Sequence, residues 1–438
     1  MMEGMTRDMM QGMSVRATLR IKGLVAGAGL MLAGLLVPMF AQSTVPAKGS
    51  PADSAKPARQ AKPKKPGATA KPDAAAEKPQ KHKPRVSHAR RPVKAAVLPE
   101  RNLPAAGYDK RPEVRAFVDD LAARHQLPTG ELLHTLREAR NLPVVARLMV
   151  PATSSQPPAW SAYRGRFVEP LRIAAGVRFW TENAATLARA TREYGVPEEI
   201  IVGITGVETI YGRNTGTYRV LDALSTLAFD YPKEAPRDRS PFFRAQLEDY
   251  LLFVHEQRLD PLAVRGSYAG AIGIPQFMPG SYRRFAVDFD GDGAIDLSAN
   301  PADVIGSVAN FLKEHGWAPG APIFHRIAIP TGIKAEDLRR LVDAGAEPTI
   351  TGAQLRKLSF ELDPALADDE KFALINLPDP VAAAEAAAPD AAIVSTVYVL
   401  GTRNFTTLTR YNRSYFYAMA VAELGAAVRA ALPAGVTR

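Results

Sequence analysis

Glu208 ends the segment Tyr194-Gly-Val-Pro-Glu-Glu-Ile-Ile-Val-Gly-Ile-Thr-Gly-Val-Glu208, and a carboxylic acid placed there has the means to move a proton. Pro197 suits a first helical position, and Glu198 and Glu199 follow where carboxylates favour the positive end of the helix dipole. Ile201, Ile204 and Glu208 recur at helical spacing, so Glu208 closes an otherwise apolar stripe just before Gly212 offers a C-terminal stop. A carboxyl in that position is expected to be partly buried. Burial disfavours the ionised form and the negative end of the helix acts the same way, so its pKa is expected to rise into the range of a general acid. A salt-bridged or exposed helix glutamate is the alternative for any single Glu, and the rest of the chain must decide.

Three other runs carry chemistry. Gly266-Ser-Tyr-Ala-Gly-Ala-Ile-Gly-Ile-Pro-Gln-Phe-Met-Pro-Gly280 is dense in small residues, as expected where backbone approaches another chain or a bulky ligand, with Ser267 and Gln276 as its hydrogen-bonding groups. The alternative is a tight turn with a buried Gln. Asp288-Phe-Asp-Gly-Asp-Gly-Ala-Ile-Asp296 has the first half of a calcium loop: carboxylates at positions 1, 3 and 5, Gly at 6, the Ala294 carbonyl at 7 and Asp at 9. Position 12 is Ala299 where an EF-hand has Glu, and Asp303 is the nearest downstream carboxylate, so the loop is longer than usual; an Asx-rich turn without metal is the alternative. Arg410-Tyr-Asn-Arg-Ser-Tyr-Phe-Tyr417 offers aromatic faces with amide and hydroxyl groups, a surface suited to sugar rings or to a core aromatic cluster.

The elements that must position these groups divide by pattern. Residues 112–220 show helical spacing, as in Val114, Phe117, Val118 and Leu121, with a loop at 151–158, and helices are expected again at 242–257 and 302–315. Between 322 and 400 short alternating runs at 323–329, 357–362, 371–376 and 394–400 predict strands, with one helix at 335–344 and an exposed Ala-Pro-rich loop at 379–391. A closing helix is expected at 417–432.

Ahead of all this, Arg16, Arg20 and Lys22 precede an apolar run to Ala41, which reads as an export signal or an uncleaved membrane anchor, 1–41. Residues 42–100 form a Lys-, Pro- and Ala-rich disordered linker with 14 Lys and Arg against 4 Asp and Glu. Residues 101–438 hold 37 basic and 39 acidic residues, so the net charge of +10 belongs to the tail. With no basic excess in the folded part and no interleaved aromatics in the tail, nucleic acid is not an expected partner. The tail is either a tether to anionic envelope surfaces or a solvated spacer. There is no cysteine, which excludes disulfides, thiolate metal sites, a cysteine nucleophile and a lipid-attachment cysteine; the seven histidines lack zinc spacing.

The Glu208 segment, Leu221-Asp-Ala-Leu224, Gly270-Ala-Ile-Gly-Ile-Pro-Gln-Phe-Met-Pro279, Asp288-Phe-Asp-Gly-Asp-Gly293, Ile305-Gly-Ser-Val-Ala-Asn310 and Arg410-Tyr-Asn412 together resemble the lytic transglycosylase B family, whose members cleave bacterial peptidoglycan. The resemblance runs from about Pro112 to the C-terminus. It implies a mainly α (α+β) fold: a helical α domain at 101–185, a lysozyme-like core with an EF-hand-like loop at 186–321, a small α+β subdomain at 322–400 and a closing segment at 401–438. It implies that Glu208 alone is acid and then base, cleaving between N-acetylmuramic acid and N-acetylglucosamine to leave a 1,6-anhydro end, in the periplasm of a Gram-negative bacterium; a hydrolytic muramidase and a non-catalytic peptidoglycan-binding scaffold are the alternatives. It implies Ser267, Gln276, Phe277, Tyr411, Asn412 and Tyr417 as substrate-binding residues, and a structural calcium on Asp288, Asp290, Asp292, the Ala294 carbonyl and Asp303. A basic residue beside the groove is expected from Arg237 or Arg239. Phe311 stands where relatives have Tyr, which removes one phenol from the site.

Overall fold

A computed structural model describes residues 104–151, 159–379 and 396–435. The signal or anchor expected at 1–41, the linker expected at 42–100 and most of the loops expected at 151–158 and 379–391 lie outside the described residues. No helix among the described residues is long and apolar enough to cross a membrane.

A 3-10 turn, Tyr108–Lys110, leads into α1 (Pro112–His125), α2 (Thr129–Arg137) and α3 (Pro143–Leu148). Pro112 and Pro143 sit in the first turns, where a missing N–H leaves no intrahelical bond unmade. Val114, Val118, Leu121, Leu136 and Val145 turn inward and are buried, as their spacing requires. Asp230 clasps this unit to the next: its carboxylate accepts from Tyr108 Oη at 2.6 Å, Arg111 Nη1 at 2.8 Å and Asn141 Nδ2 at 2.8 Å.

Helices α4 (Trp160–Phe167), α5 (Pro170–Glu182) and α6 (Ala184–Tyr194) precede α7 (Glu198–Thr209), which carries Glu208. After it come β1 (Tyr218–Arg219), α8 (Val220–Phe229), α9 (Ser240–Glu256), β2 (Arg265–Gly266), α10 (Pro279–Phe285) and α11 (Pro301–Glu314). Strands β1 and β2 pair antiparallel, which fixes the small-residue segment beside α8.

The small sheet is antiparallel throughout, β3 (Phe324–Arg326), β4 (Ile350–Thr351), β5 (Lys371–Leu377) and β6 (Val397–Gly401), in the order β3-β6-β5-β4. Helices α12 (Ala335–Asp343) and α13 (Gly352–Lys357) accompany it, and Leu338, Leu341, Leu355, Phe360, Phe372 and Leu400 form its core. The strand expected at 357–362 is absent. Thr351 and Gln354 form a capping box that starts α13 instead, and Phe360 dips into the core from an irregular segment. The alternation there reports one-sided burial without strand pairing.

The chain closes with α14 (Arg403–Tyr411) and α15 (Tyr415–Ala430), and α15 returns to pack along α7. The two backbones touch: a Cβ at Gly203 would lie 2.3 Å from Val421 O, and one at Gly425 would lie 2.1 Å from Glu199 O. Enclosed by α15, α5, α6 and α11, α7 is buried from Ile200 through Val207, on every side and not along a single stripe.

Candidate active site

The ends of α7 differ from expectation. Pro197 is the N-cap, with extended backbone, and the helix begins at Glu198. It stops before Gly212: Ile210, Tyr211 and Gly212 take φ of +53°, +55° and +87° in succession. A β-branched residue rarely adopts this left-handed region, and each such residue stores roughly 1–3 kcal/mol that surrounding contacts must hold. Thr209 supplies part of the hold. Its hydroxyl donates to Ile274 O at 2.9 Å and accepts from Gly212 N at 3.0 Å, joining the end of α7 to the small-residue segment.

Glu208 therefore sits at the last full turn of a buried helix, itself only partly accessible. Burial pushes its carboxyl up to about 7, and a hydrogen bond from Tyr417 Oη to Oε1 at 2.7 Å acts in the opposite direction. Among the described residues, burial and Tyr417 are the causes of this shift. Tyr417, expected on the substrate, has 0% exposure and touches Glu208 instead. The Tyr411 ring lies nearly parallel to it, 6.2 Å away at 15°, half-buried and donating its hydroxyl to Pro275 O.

Phe277 was also expected on the substrate, and at 2% exposure it cannot offer a face. It lies behind Tyr411, its ring 5.9 Å from Tyr411 and 5.6 Å from Phe311, because the chain folds back through the Ile272–Phe277 bridge. Phe311 itself packs edge-on to Tyr411 at 4.8 Å, so this position supports the wall by contact alone.

Gln276 follows Pro275, whose carbonyl takes the Tyr411 hydroxyl, and Asn412 follows Tyr411, while Ser267 lies in the same small-residue segment as Gln276. The Ser267 hydroxyl accepts from Ala269 N and Ala271 N, which leaves its own O–H to donate. Gln276 has φ +53° and gives both amide protons to Thr215 O and Gly273 O, at 3.0 and 2.8 Å, which leaves its carbonyl to accept. The Asn412 side chain has no hydrogen bond among the described residues, although little of the residue is exposed. Of the two basic candidates, Arg239 is half-buried over the Phe242 and Phe243 rings and interacts electrostatically with Tyr268 and Arg413, neighbours of Ser267 and Asn412. Arg237 is exposed.

Tyr163, and Asp222 of the Leu221-Asp-Ala-Leu224 motif, have places that the sequence does not assign to them. Tyr163 on α4 stands near enough to Glu208 for the carboxylate to add to the effect of burial in raising its phenol. Its signal was present in Trp160, Tyr163 and Phe167, spaced as one helix face, and with Phe416 these rings form a continuous cluster. Asp222 on α8, 3% exposed, binds Arg219 and accepts Arg140 N at 2.9 Å. It anchors β1, and through it the loop bearing Ser267, to the helical unit.

In the acidic loop, Asp288, Asp290 and Asp303 converge, with one oxygen of each within 4.8 Å of the others. Gly291, Asp292 and Gly293 N–H groups hold Asp288, and hydrogen bonds from Gly293 and the other two keep its carboxyl below the usual range. Asp303 is fully buried and bonded to Phe289 N and Asp296 N. Three hard oxygen donors with no ion-pair partner among the described residues fit a calcium ion. Asp292 stays outside this group, its Oδ1 accepting from Ala294 N, and Ala294 is exposed.

Comparison with known proteins agrees with this geometry. The family described as "Transglycosylase SLT domain" matches residues 109–426. Membrane-bound lytic murein transglycosylase B of Escherichia coli (strain K12) is 39% identical over 342 residues, 75% of this chain and 87% of that protein. The crystal structure of soluble lytic transglycosylase SltB1 from Pseudomonas aeruginosa matches with TM-score 0.63 at 41% identity, over 73% of this chain and 99% of that one. Escherichia coli lytic transglycosylase Slt35 in complex with calcium matches with TM-score 0.62 at 37% identity, over 75% and 96%. A buried glutamate at the end of a core helix, a lysozyme-like fold around it and a match over most of the chain agree: this chain belongs to the transglycosylase SLT domain family.

Proposed function

We propose that the protein is a peptidoglycan lytic transglycosylase in which Glu208 is the only acid and base. The protonated carboxyl gives its proton to the glycosidic oxygen between N-acetylmuramic acid and N-acetylglucosamine. The resulting carboxylate then takes the proton of the muramoyl C6 hydroxyl, which attacks C1 and closes a 1,6-anhydro ring. The 2-acetamido group of the substrate stabilises the cation-like intermediate, which removes the need for a second carboxylate.

The observation that carries this reading is the placement of Glu208 at the end of a core helix, partly accessible and hydrogen-bonded by the Tyr417 hydroxyl at 2.7 Å, in a chain that matches the transglycosylase family over residues 109–426. Enzymes that use two carboxylates in a retaining reaction hold them about 5–5.5 Å apart. At Glu208, burial raises the carboxyl and the Tyr417 hydrogen bond lowers it, and among the described residues the hydrogen-bond partner of its side chain is a phenol, with no carboxylate. A pKa near 7 suits one group that must both give and accept a proton close to neutrality.

Ser267, Gln276, Tyr411 and Asn412 are assigned to the glycan, through one hydroxyl donor, one free carbonyl, one half-buried ring and one unengaged amide. Tyr417 is assigned to Glu208, and Phe277 to support of Tyr411. Calcium on Asp288, Asp290 and Asp303 would neutralise the loop and hold α11 to α10; it supplies no chemistry to the reaction. The reading includes the domain boundaries given above, export to the periplasm and attraction of the basic linker to anionic envelope surfaces.

Reduction of the products with borohydride tests the reaction type. Anhydro ends resist reduction and keep their mass. Ends that gain two hydrogens would identify a hydrolytic muramidase, with water in place of the C6 hydroxyl.

A further inference from the structure

We infer that Tyr211 is a positioning residue for the catalytic helix: its ring, seated in a slot between α5 and α7, holds the left-handed elbow that sets where α7 ends and where Glu208 points. The inference rests on the reading of Glu208 as the acid and base, and adds to it the device that aims the carboxyl.

The slot exists because two side chains are missing. A Cβ on Gly176 of α5 would lie 2.4 Å from the Tyr211 hydroxyl, and one on Gly206 of α7 would also lie 2.4 Å from it. Val428 and Leu424 of α15 close the far side, at 2.5 and 2.8 Å from those same positions. Phe179 stacks on the ring at 5.2 Å and 29°. The hydroxyl is buried and has no hydrogen-bond partner among the described residues. The Arg172 guanidinium on α5 is near enough to act electrostatically on the phenol, but with no hydrogen bond at the hydroxyl the fit of the ring is the main hold on this side chain.

The elbow needs such an anchor. Ile210 and Tyr211 are both left-handed, and Tyr211 N bonds back to Thr205 O at 3.2 Å, two residues beyond the ordinary helical partner, Val207 O, as in a Schellman-type helix end. Released from the slot, these residues would relax towards ordinary backbone and the last turn of α7 would rewind. Gly206 and Glu208 are two apart on the helix and so face different ways. Tyr211 thus acts from behind α7, while Glu208 meets Tyr417 in front.

The test uses the full chain with wild type, Glu208→Gln, Tyr211→Leu and Tyr211→Phe on a soluble, un-cross-linked glycan strand, with kcat and KM separated and the folded fraction measured by melting. Wild-type turnover abolished by Glu208→Gln establishes the parent reading; its absence would sink that reading independently of Tyr211. Given it, Tyr211→Leu is expected to lower kcat at least tenfold in protein that remains folded at the assay temperature, with KM changed less than threefold. Tyr211→Phe keeps the ring and is expected to restore kcat to within about threefold of wild type. The inference is overturned if Tyr211→Leu keeps its kcat, if its loss matches its unfolded fraction, if KM changes in place of kcat, or if Tyr211→Phe fails as badly as Tyr211→Leu.

Discussion

The Tyr417 hydroxyl donates to Glu208 Oε1 at 2.7 Å across 209 residues of sequence, and both groups are enclosed where α15 crosses α7. Burial alone would keep the carboxyl protonated, and the phenol restores some stability to the carboxylate. The pair is balanced so that either protonation state is accessible.

Tyr417→Phe upsets that balance in one direction. A hydrogen bond to a charged group contributes roughly 1.5–3 kcal/mol, which corresponds to about one to two pKa units. The alkaline limb of the kcat/KM profile should move up by about a unit or more, while the maximal rate falls because the carboxylate needed as base is less stable. A limb that stays in place would show that the bond does not govern Glu208.

In the wild type, the acid must be protonated in the free enzyme, and its pKa lies near 7. kcat/KM is therefore expected to be retained below that pH and to fall as pH rises through it. Stability has the same sign: a carboxyl whose folded pKa is raised favours the folded state below its unfolded pKa and loses that contribution as pH rises through about 7. Glu208→Gln should consequently melt above wild type at pH 8, by an amount on the order of 2 kcal/mol, with the gap closing towards pH 4. Equal melting at both pH values would contradict a buried, ionising carboxyl.

How much of this was legible follows the range of each interaction. The Glu208 helix, the small-residue run and the acidic loop are each defined within one short segment, and each is found where its own residues put it. Tyr417 and Phe277 were recognised as belonging near the site, but which atoms they meet depends on α15 and on the Ile272–Phe277 fold-back, contacts that no local pattern encodes. The end of α7 misled for a physical reason: Gly212 is the natural stop, yet Ile210 takes the left-handed turn first because tertiary contacts at Thr209 and Tyr211 outweigh backbone preference. At 357–362 alternation reflected one-sided burial, with Phe360 in the core of the small sheet but no strand pairing.

Calcium is expected to raise the melting temperature, since binding to the folded state alone at 100 times the dissociation constant contributes about 2.7 kcal/mol. A chelator should reverse it, and magnesium at equal ionic strength should not match it. Asp290→Asn, at an exposed member of the acidic group, should abolish most of the shift. A shift that survives in this variant would place the ion elsewhere.

Asp222 joins Arg219 and the Arg140 backbone in a nearly dry setting. Asp222→Ala leaves the Arg219 cation buried without its partner, and removing one member of such a pair typically costs about 3–5 kcal/mol. Urea unfolding should record a loss in that range, with Asp222→Asn losing less. A loss below about 1 kcal/mol would mean that Arg219 finds solvent on its own.

The central claim is most directly tested by digesting purified peptidoglycan with the full chain, wild type beside Glu208→Gln, and weighing the soluble fragments by mass spectrometry. The account predicts muropeptides one water lighter than the reducing forms from wild type, and none from the variant. Reducing-end fragments from wild type, or anhydro fragments released equally by Glu208→Gln, would contradict it.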